Sequence, residues 1–264
     1  MKKLALVLGG GAAKGYAHIG VIKVLEENGI KPDLIVGTSM GAIVGGFYAC
    51  GKDSKYLTNI SNKLTKRSLL DFSLFRTLFK ASLMRGKKIR KLFETELGDI
   101  THEQTNIPFV AIATDIIEGK QVVIKEGRIV DSMLASSALP AVYPAVELNG
   151  RLLNDGGLVN NVPDDVARRI GKNYVILSIN VIGEYSKQRE TSKLKVLSGT
   201  INALTLMQTE ITKYKGNSSD LRINISQPDI AQMDFKGEKA LKSIQYGEKN
   251  MQKNINKLKK LLED

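Results

Sequence analysis

Two short apolar runs near the start of the chain each end in glycine and are each followed by helical spacing of apolar residues. The first run covers residues 3–8 and leads through "GGGAAKG" into a helical pattern over residues 17–28. The second covers residues 34–36 and leads through "GTSMG" into a helical pattern of small residues over 40–50. Apolar runs without polar alternation are typical of strands buried on both faces of a parallel sheet. Two consecutive strand–turn–helix units predict an α/β fold, a three-layer α/β/α arrangement with a mainly parallel central sheet.

The rest of the sequence extends this pattern. Three more buried strands are predicted, over residues 108–114, 174–180 and 221–225. A hairpin is predicted from residues 121–124 and 128–130, on either side of "KEG".

The last stretch, residues 237–262, has the pattern of an amphipathic helix whose outer face is rich in lysine and asparagine. Its apolar positions are Leu241, Ile244, Met251, Ile255, Leu258 and Leu262. No internal repeat or low-complexity linker divides the sequence, so we predict a single domain over residues 1–264.

The composition excludes several classes of protein. The single cysteine, Cys50, cannot form an internal disulfide, and no cluster of side chains has metal-ligand spacing. We therefore expect no metal, no cofactor and a cytoplasmic protein. The apolar run Leu4–Leu8 is shorter than the core of a signal peptide, and no stretch approaches the length of a membrane span. Basic residues are not regularly interleaved with aromatic ones, so no nucleic-acid partner is predicted.

Ser39 lies at the centre of "GTSMG", between the second predicted strand and the helix that follows it. A nucleophile elbow has this spacing and this context, because the turn is too sharp for residues larger than Gly37 and Gly41 on either side. Such a turn pushes the serine hydroxyl out above the sheet. The alternative is an ordinary strand-to-helix turn with a Thr or Ser cap, and the motif alone leaves both interpretations open.

A nucleophilic serine needs a base, and the chain has two histidines, His18 and His102. The α/β-hydrolase order of serine, acid and histidine needs a histidine late in the chain, and none follows His102, so a Ser-His-Asp triad is disfavoured. A carboxylate is the other candidate. Asp155 in "NDGG" is predicted at a strand end, where α/β sheets gather their site residues. The same four residues are a good turn sequence, so a purely structural role also stays open.

The loop "GGGAAKG" presents backbone N–H groups at the start of a helix, which is a ready anion site. A dinucleotide fingerprint fits poorly, because Gly10 and Gly15 match its outer glycines but Ala12 takes the middle position. A P-loop also fails, because Tyr16 follows Gly15 where lysine is required. The remaining interpretation is an oxyanion hole, since adjacent parallel strands would place this loop beside Ser39.

Together, four blocks of the sequence resemble the patatin-like phospholipases, a family of serine lipid acyl hydrolases with a Ser-Asp dyad. The blocks are "LGGGAAKGYAHIGVIKVLEENGI", "GTSMGAIVGG", "AIATDIIEGKQVVIKEG…LASSALPAVYPAVELNG" and "LLNDGGLVNNVP". They stand in the family's order and cover about residues 4–180. The combination is far more specific than any one of the motifs.

The resemblance implies that Ser39 is the nucleophile and that Asp155 takes its proton and later activates water. It also implies an oxyanion hole formed by the backbone amides of Gly10, Gly11 and Ala12, and a reaction without a catalytic histidine or a required metal. The positions that support these motifs are Lys14, Gly15, Gly37, Gly41, Gly156 and Gly157.

Ala12 departs from the family's usual pattern, which has a third glycine there. Alanine still offers an N–H group but resists positive φ. We therefore expect either a negative φ at Ala12 or a loop whose register is shifted by one residue, with Gly9 as the extra glycine.

The predicted function is hydrolysis of carboxylic ester bonds in lipids through an acyl-enzyme on Ser39. Two alternatives stay open. One is a carboxylesterase or thioesterase acting on soluble acyl substrates. The other is a nucleotide- or anion-binding regulatory protein that keeps the fold without turnover.

Much of the net charge of +12 comes from residues 52–95, which hold 12 basic and 3 acidic side chains. Within this basic segment, residues 68–79 space large apolar side chains roughly as a helix does. The helix is interpreted either as a lid or membrane-facing element at an anionic lipid surface, or as a helix that completes the core. In the first case, neutralising four cations should weaken binding to anionic vesicles. Those cations are Lys87, Lys88, Arg90 and Lys91.

Overall fold

The computed structural model describes residues 2–63, 86–183, 196–215 and 217–263, and these contain an eight-stranded sheet. The strands are β1 (Leu4–Leu8), β2 (Leu34–Thr38), β3 (Phe109–Asp115), β4 (Lys120–Ile124), β5 (Val146–Leu148), β6 (Arg151–Asp155), β7 (Val175–Asn180) and β8 (Leu221–Asn224). They are ordered β5-β6-β3-β2-β1-β7-β8, and β4 also pairs with β3.

Five of the strands, β3, β2, β1, β7 and β8, are paired in parallel, whereas β4, β5 and β6 make antiparallel pairs. Every residue of β1, β2, β3 and β7 is buried, as expected for central strands that are covered on both faces. The predicted α/β class and the mainly parallel sheet are confirmed.

Helices surround the sheet, and short 3-10 turns precede or follow several strands. The helices are α1 (Ala17–Glu27), α2 (Met40–Ala49), α3 (Ser54–Lys63), α4 (Lys87–Leu97), α5 (Ile129–Ser136), α6 (Asp164–Ile170), α7 (Val196–Tyr214) and α8 (Gly237–Glu263). The 3-10 turns are Ala12–Tyr16, His102–Gln104 and Gly156–Leu158.

Alternate residues of the central strands feed two separate cores. Leu4, Leu6 and Leu8 of β1 point to a large core that includes α1, α2, α4, α5 and α8. Ala5 and Val7 point the other way, into a smaller core that β2, β3 and α6 complete. Layers of helix on both faces explain why these strands carry no polar alternation.

Strand β3 determines where the ends of β2 and β6 meet. Ile112 pairs with Thr38, the last residue of β2, and the next residue, Ala113, pairs with Asp155, the last residue of β6. The other edge of β3 is occupied by β4. Since a strand has only two edges, β2 and β6 follow one another along the same edge and meet end to end. The residue after Thr38 is therefore placed beside Asp155.

The long C-terminal helix α8 packs closely against α1. A Cβ atom at Gly247 would overlap the carbonyl oxygen of Ala17, and one at Gly20 would overlap the carbonyl oxygen of Ile244. The two helices therefore approach at backbone contact where both carry glycine. An ion pair between Lys23 and Glu248, at 3.0 Å, lies beside this crossing.

Two local predictions are wrong. Residues 128–130 do not form the second strand of a hairpin, because α5 begins at Ile129 and β4 pairs with β3 instead. Leu241 was expected on the apolar face of α8, but it is 46% exposed, while Ala240 and Ser243 are buried. The helix predicted over residues 68–79 lies outside the described residues.

Candidate active site

Ser39 occupies a strained turn between β2 and α2. Its backbone angles are φ 55° and ψ −123°, which a residue with a side chain adopts only under constraint. A Cβ atom at Gly41 would overlap the carbonyl oxygen of Leu8, and one at Gly37 would lie 2.6 Å from the Cα atom of Ala42. Both glycines are thus required by the close packing of the turn, as the elbow spacing predicts.

The hydroxyl of Ser39 donates a hydrogen bond to Asp155, with 2.6 Å between Oγ and Oδ2. The second carboxylate oxygen, Oδ1, accepts the backbone N–H of Gly157 at 2.8 Å. Asp155 is 1% exposed, and this burial raises the pKa of its carboxyl to about 6. The hydrogen bonds from Ser39 and Gly157 favour the charged form and lower the pKa, but burial has the larger effect. The "NDGG" segment therefore holds a carboxylate of raised basicity in direct contact with the serine.

Gly156 and Gly157 each fit a tight space next to this carboxylate. A Cβ atom at Gly156 would overlap the carbonyl oxygen of Ile112, because the chain passes directly across β3. A Cβ atom at Gly157 would lie 3.0 Å from Asp155 Oδ1 and 2.5 Å from Gln208 Nε2. Side chains at these two positions would displace the carboxylate that contacts Ser39.

The glycine loop lies next to Ser39, and its four central amides are in two different states. The Gly10 N–H donates to the carbonyl oxygen of Asn161 at 3.0 Å, and the Ala13 N–H donates to that of Gln232 at 2.9 Å. The amides of Gly11 and Ala12 between them have no acceptor within the described part of the chain. The loop is thus fixed at both ends and offers two N–H groups in the middle.

This arrangement revises two expectations about the loop. Gly10 was included among the oxyanion donors, but its N–H is already used by the protein. Of the two alternatives for Ala12, a negative φ is wrong, because its φ is +47°. The other, a register shifted by one residue, stays a prediction. Left-handed geometry costs alanine about 1–2 kcal/mol, which the bonds on both sides of Ala12 must offset. Gly10 still has a steric role, because a Cβ atom there would lie 3.1 Å from Ser39 Cβ.

Ser136, at the end of α5, contacts the turn that carries Ser39. Its Oγ accepts the backbone N–H of Ser39 at 2.9 Å and donates to the carbonyl oxygen of Ile112 at 2.6 Å. Ser136 is fully buried. The hydroxyl therefore joins the turn at Ser39 to β3, and it satisfies an amide that the strained turn leaves outside the sheet.

A family comparison gives this geometry a context. The family described as "Patatin-like phospholipase" matches residues 6–168. The chain belongs to the patatin-like phospholipase family.

Curated relatives agree with this assignment. An uncharacterized NTE family protein of Mycobacterium tuberculosis is 40% identical over 161 residues, which are 61% of this chain and 44% of the relative. Patatin-like phospholipase domain-containing protein 6 of Homo sapiens is 35% identical over 177 residues, 66% of this chain and 13% of the relative. The chain thus matches less than half the length of either relative.

Solved structures of this family's fold are also similar. VipD from Legionella pneumophila has a TM-score of 0.57 at 12% identity, over 97% of this chain and 67% of that one. The heterodimeric ExoU–SpcU complex of Pseudomonas aeruginosa contains a chain with a TM-score of 0.51 at 17% identity, over 100% of this chain and 52% of that one. Both show the same fold.

In this patatin-like chain neither histidine contacts Ser39. His18 Nε2 lies 2.7 Å from the carbonyl oxygen of Gly9, and burial lowers the pKa of its imidazole to about 4. His102 Nδ1 lies 2.9 Å from the carbonyl oxygen of Phe109, and the His102 ring stacks on the Phe109 ring. Both are buried, and the pKa of His102 is also lowered by burial. Both histidines stabilise local structure, which is consistent with the argument against a Ser-His-Asp triad.

Lys14 and Gly15 support the patatin-like loop from behind. The carbonyl oxygen of Lys14 accepts hydrogen bonds from Gln227 Nε2 at 2.9 Å and from Ser243 Oγ at 3.0 Å. Burial lowers the pKa of the Lys14 ammonium group. A Cβ atom at Gly15 would overlap the side chain of Met40, so the loop packs directly on the start of α2.

An apolar pocket opens at Ser39, with a volume of about 540 Å³ that includes space open to solvent. Most of its wall is hydrocarbon, from Met40, Ile43, Val142, Met233 and Phe235. Sequence reasoning missed Met233 and Phe235, which lie between β8 and α8, beyond the matched residues. Two apolar residues in the otherwise polar stretch "QMDFKG" were the available signal.

The described part of the basic segment contributes to this site as well. Helix α4 buries Ile89, Phe93 and Leu97 in the large core. Arg90 pairs with Asp131 at 2.5 Å, so it does not belong with the exposed cations, which are Lys87, Lys88 and Lys91. A joint contribution of all four cations to vesicle binding stays a prediction.

Two features are absent from residues 2–63, 86–183, 196–215 and 217–263. None of the helices there is long and apolar enough to cross a membrane. Within the same ranges, no group of three or more His, Cys, Asp or Glu side chains is placed to hold a metal ion.

Proposed function

We propose that this chain hydrolyses carboxylic ester bonds of lipids, with Ser39 as nucleophile and Asp155 as general base. The observation that carries the proposal is the 2.6 Å hydrogen bond between Ser39 Oγ and Asp155 Oδ2 at the mouth of an apolar pocket. Nucleophile and base are at the distance that direct proton transfer requires. A carboxyl with a pKa of about 6 is mostly ionised at pH 7 and is more basic than an exposed aspartate.

The reaction has two steps. In the first, Ser39 Oγ attacks the ester carbonyl while Asp155 Oδ2 takes the hydroxyl proton, and the N–H groups of Gly11 and Ala12 stabilise the oxyanion. The C–O bond to the alcohol then breaks, and the alcohol leaves with the proton held by Asp155. In the second step Asp155 takes a proton from water, the resulting hydroxide attacks the acyl group, and the proton returns to Ser39 Oγ.

A lipid substrate is supported by the wall of the pocket. The side chains next to Ser39 are largely hydrocarbon, so a fatty acyl chain would be removed from water on binding, which stabilises the complex by roughly 25 cal/mol per Å². The names of the relatives agree: one is a patatin-like phospholipase domain-containing protein, and another, from Drosophila melanogaster, is called neuropathy target esterase.

Labelling with a fluorophosphonate probe tests the proposal. The wild-type chain should be labelled, Ser39→Ala should not, and Asp155→Asn should be labelled at least about 100-fold more slowly, as for loss of a general base. Asp115→Asn is the matched control, since Asp115 is also a buried aspartate at a strand end, where its Oδ1 accepts the N–H groups of Ile117 and Glu118.

The outcomes separate the proposal from its alternatives. A folded wild-type chain that is not labelled contradicts catalysis and favours the nucleotide- or anion-binding interpretation, which a thermal-shift screen with nucleotides would then support. If labelling is as expected, rates on a short-chain ester below and above its micelle concentration decide the substrate class. A lipase-like enzyme should accelerate on micelles, whereas a soluble-ester hydrolase should not.

A further inference from the structure

A second pocket adjoins the one at Ser39. It has a volume of about 400 Å³, counting space open to solvent, and it lies between α4, the end of α5 and β5. Ile89, Ser137 and Tyr143 line both pockets, so they form a shared wall. The far side of the second pocket is formed by Leu134 and Val146.

Two polar side chains of the second pocket, Arg90 and Ser137, are already bonded within the protein. Arg90 is paired with Asp131 at 2.5 Å and lies 3.6 Å from Glu94. The hydroxyl of Ser137 donates to the carbonyl oxygen of Met133 at 2.7 Å. A polar ligand would have to compete with these bonds, whereas a hydrocarbon chain would contact Ile89, Leu134 and Val146 and leave them intact.

We propose that the second pocket binds the second hydrocarbon chain of a two-chain lipid whose first chain lies in the pocket at Ser39. The inference rests on the proposed function for the identity of the first pocket. Two separate apolar volumes that share a wall suit two branches of one molecule. Ile89, Ser137 and Tyr143 line both volumes, so the two pockets adjoin at these residues.

Val146 is the residue that tests this assignment. It is half-buried on the short edge strand β5, and it lines the second pocket without lining the first. Val146→Phe adds bulk to the second pocket alone. Val123→Phe is the matched control, because it makes the same substitution on β4. Val123 is 38% exposed and lines neither pocket.

Binding should be measured on the Ser39→Ala chain with uncleavable ether lipids. The two probes are a dihexyl ether glycerophosphocholine and its monohexyl counterpart, both below their micelle concentrations. The dihexyl lipid should bind at least about tenfold more tightly, since several methylenes leave water. Val146→Phe should bring that ratio to about twofold or less while monohexyl binding stays unchanged, and Val123→Phe should preserve the ratio.

The result that overturns the proposal is a dihexyl-to-monohexyl ratio that Val146→Phe leaves intact, or an equal loss of both lipids. If Val146→Phe does not fold, judged by circular dichroism, Val146→Leu should reduce the ratio by a smaller factor, and no reduction has the same meaning. Because the lipids cannot be cleaved, the test is independent of turnover. If fluorophosphonate labelling fails while the preference for the dihexyl lipid is kept, the proposed function is rejected. The assignment of the second pocket to a second hydrocarbon chain is then still supported.

Discussion

The Ser39–Asp155 pair combines two residues that are each unfavourable in isolation. Ser39 holds a positive φ, and Asp155 is a carboxyl almost completely removed from water. Strain and buried charge of this kind persist only where the surrounding structure constrains them, and they are concentrated at functional sites. Here the constraint consists of hydrogen bonds, from Gly157 to the carboxylate and from the elbow to Ser136.

In the proposed mechanism, the pKa of Asp155 sets the pH dependence of serine reactivity. A base works only when ionised, so the rate of fluorophosphonate labelling should be level above pH 7 and fall through a pKa of about 6. Well below that value it should fall about tenfold per pH unit. The measurement is the labelling rate of the wild-type chain between pH 4.5 and 8, a window chosen to bracket that pKa. A profile that breaks near the ordinary aspartate value instead would contradict the raised pKa of Asp155, and a profile with no break between pH 4.5 and 8 would contradict its role as the base.

Ser136 should act as a positioning residue for Ser39. Ser136→Ala leaves the Ser39 N–H without its acceptor, so the elbow can relax, and we expect kcat to fall about tenfold with KM nearly unchanged. Ser132→Ala is the control, because Ser132 is equally buried one turn earlier in α5 and bonds His102. Both variants should lose roughly 1–3 kcal/mol of stability, and only the first should slow catalysis. Equal kinetics in the two variants would refute the positioning role.

At the level of elements, the contact between α1 and α8 depends on glycine. Backbone atoms of the two helices meet at Gly20 and Gly247, and the Lys23–Glu248 pair flanks them. The loop that carries Gly11 and Ala12 leads directly into α1. In that loop, the carbonyl oxygen of Lys14 accepts a hydrogen bond from the hydroxyl of Ser243 in α8. Helix α8 thus supports the glycine loop, although the helix lies outside the matched family region, residues 6–168.

Gly247→Ala should therefore damage stability more than a helix propensity scale predicts. Its Cβ would overlap the Ala17 carbonyl, which must move, and the expected loss is about 2–4 kcal/mol of unfolding free energy. Gly199→Ala in α7 makes the same substitution where nothing lies within 4 Å, and it should stabilise by up to about 1 kcal/mol. Urea unfolding of both variants measures the difference. Similar stabilities would show that the helices separate without cost.

At the level of the whole molecule, the charge is unevenly distributed, and the exposed lysines at the start of α4 lie next to the second pocket. Gly86 and Arg90 line that pocket, and Lys87 and Lys88 lie between them in the sequence. An anionic lipid surface facing this region would bring lipid chains to the pockets and attract the lysines in the same orientation. Peripheral binding of this kind needs no membrane-spanning helix.

Replacing Lys87, Lys88 and Lys91 by glutamine should weaken binding to vesicles that contain phosphatidylserine. Each lysine near such a surface contributes about 1 kcal/mol, so the affinity should fall at least about tenfold at low salt and less at high salt. The control removes the same charge from the exposed face of α8, at Lys249, Lys253 and Lys257. Vesicle sedimentation measures both. Equal losses would mean that overall charge, and not this surface, drives binding.

Features that depend on neighbours along the chain could be predicted from the sequence. Buried strands are visible as apolar runs, and the elbow is visible because Gly37 and Gly41 are demanded by one tight turn. The same is true of Asp155, which follows a strand and precedes two glycines. Local pattern could not place Leu241 or residues 128–130, because exposure and strand pairing depend on which elements lie opposite.

Which groups are available to react depends on contacts between segments that are distant in the sequence. The Gly10 amide is occupied by Asn161, Arg90 is neutralised by Asp131, and Ser39 is held by Ser136, 97 residues away. The pocket wall at Met233 and Phe235 comes from a loop with no repeating pattern. None of these contacts leaves a periodic trace in the sequence, because a hydrogen bond or ion pair between distant segments depends on where the fold brings single atoms together.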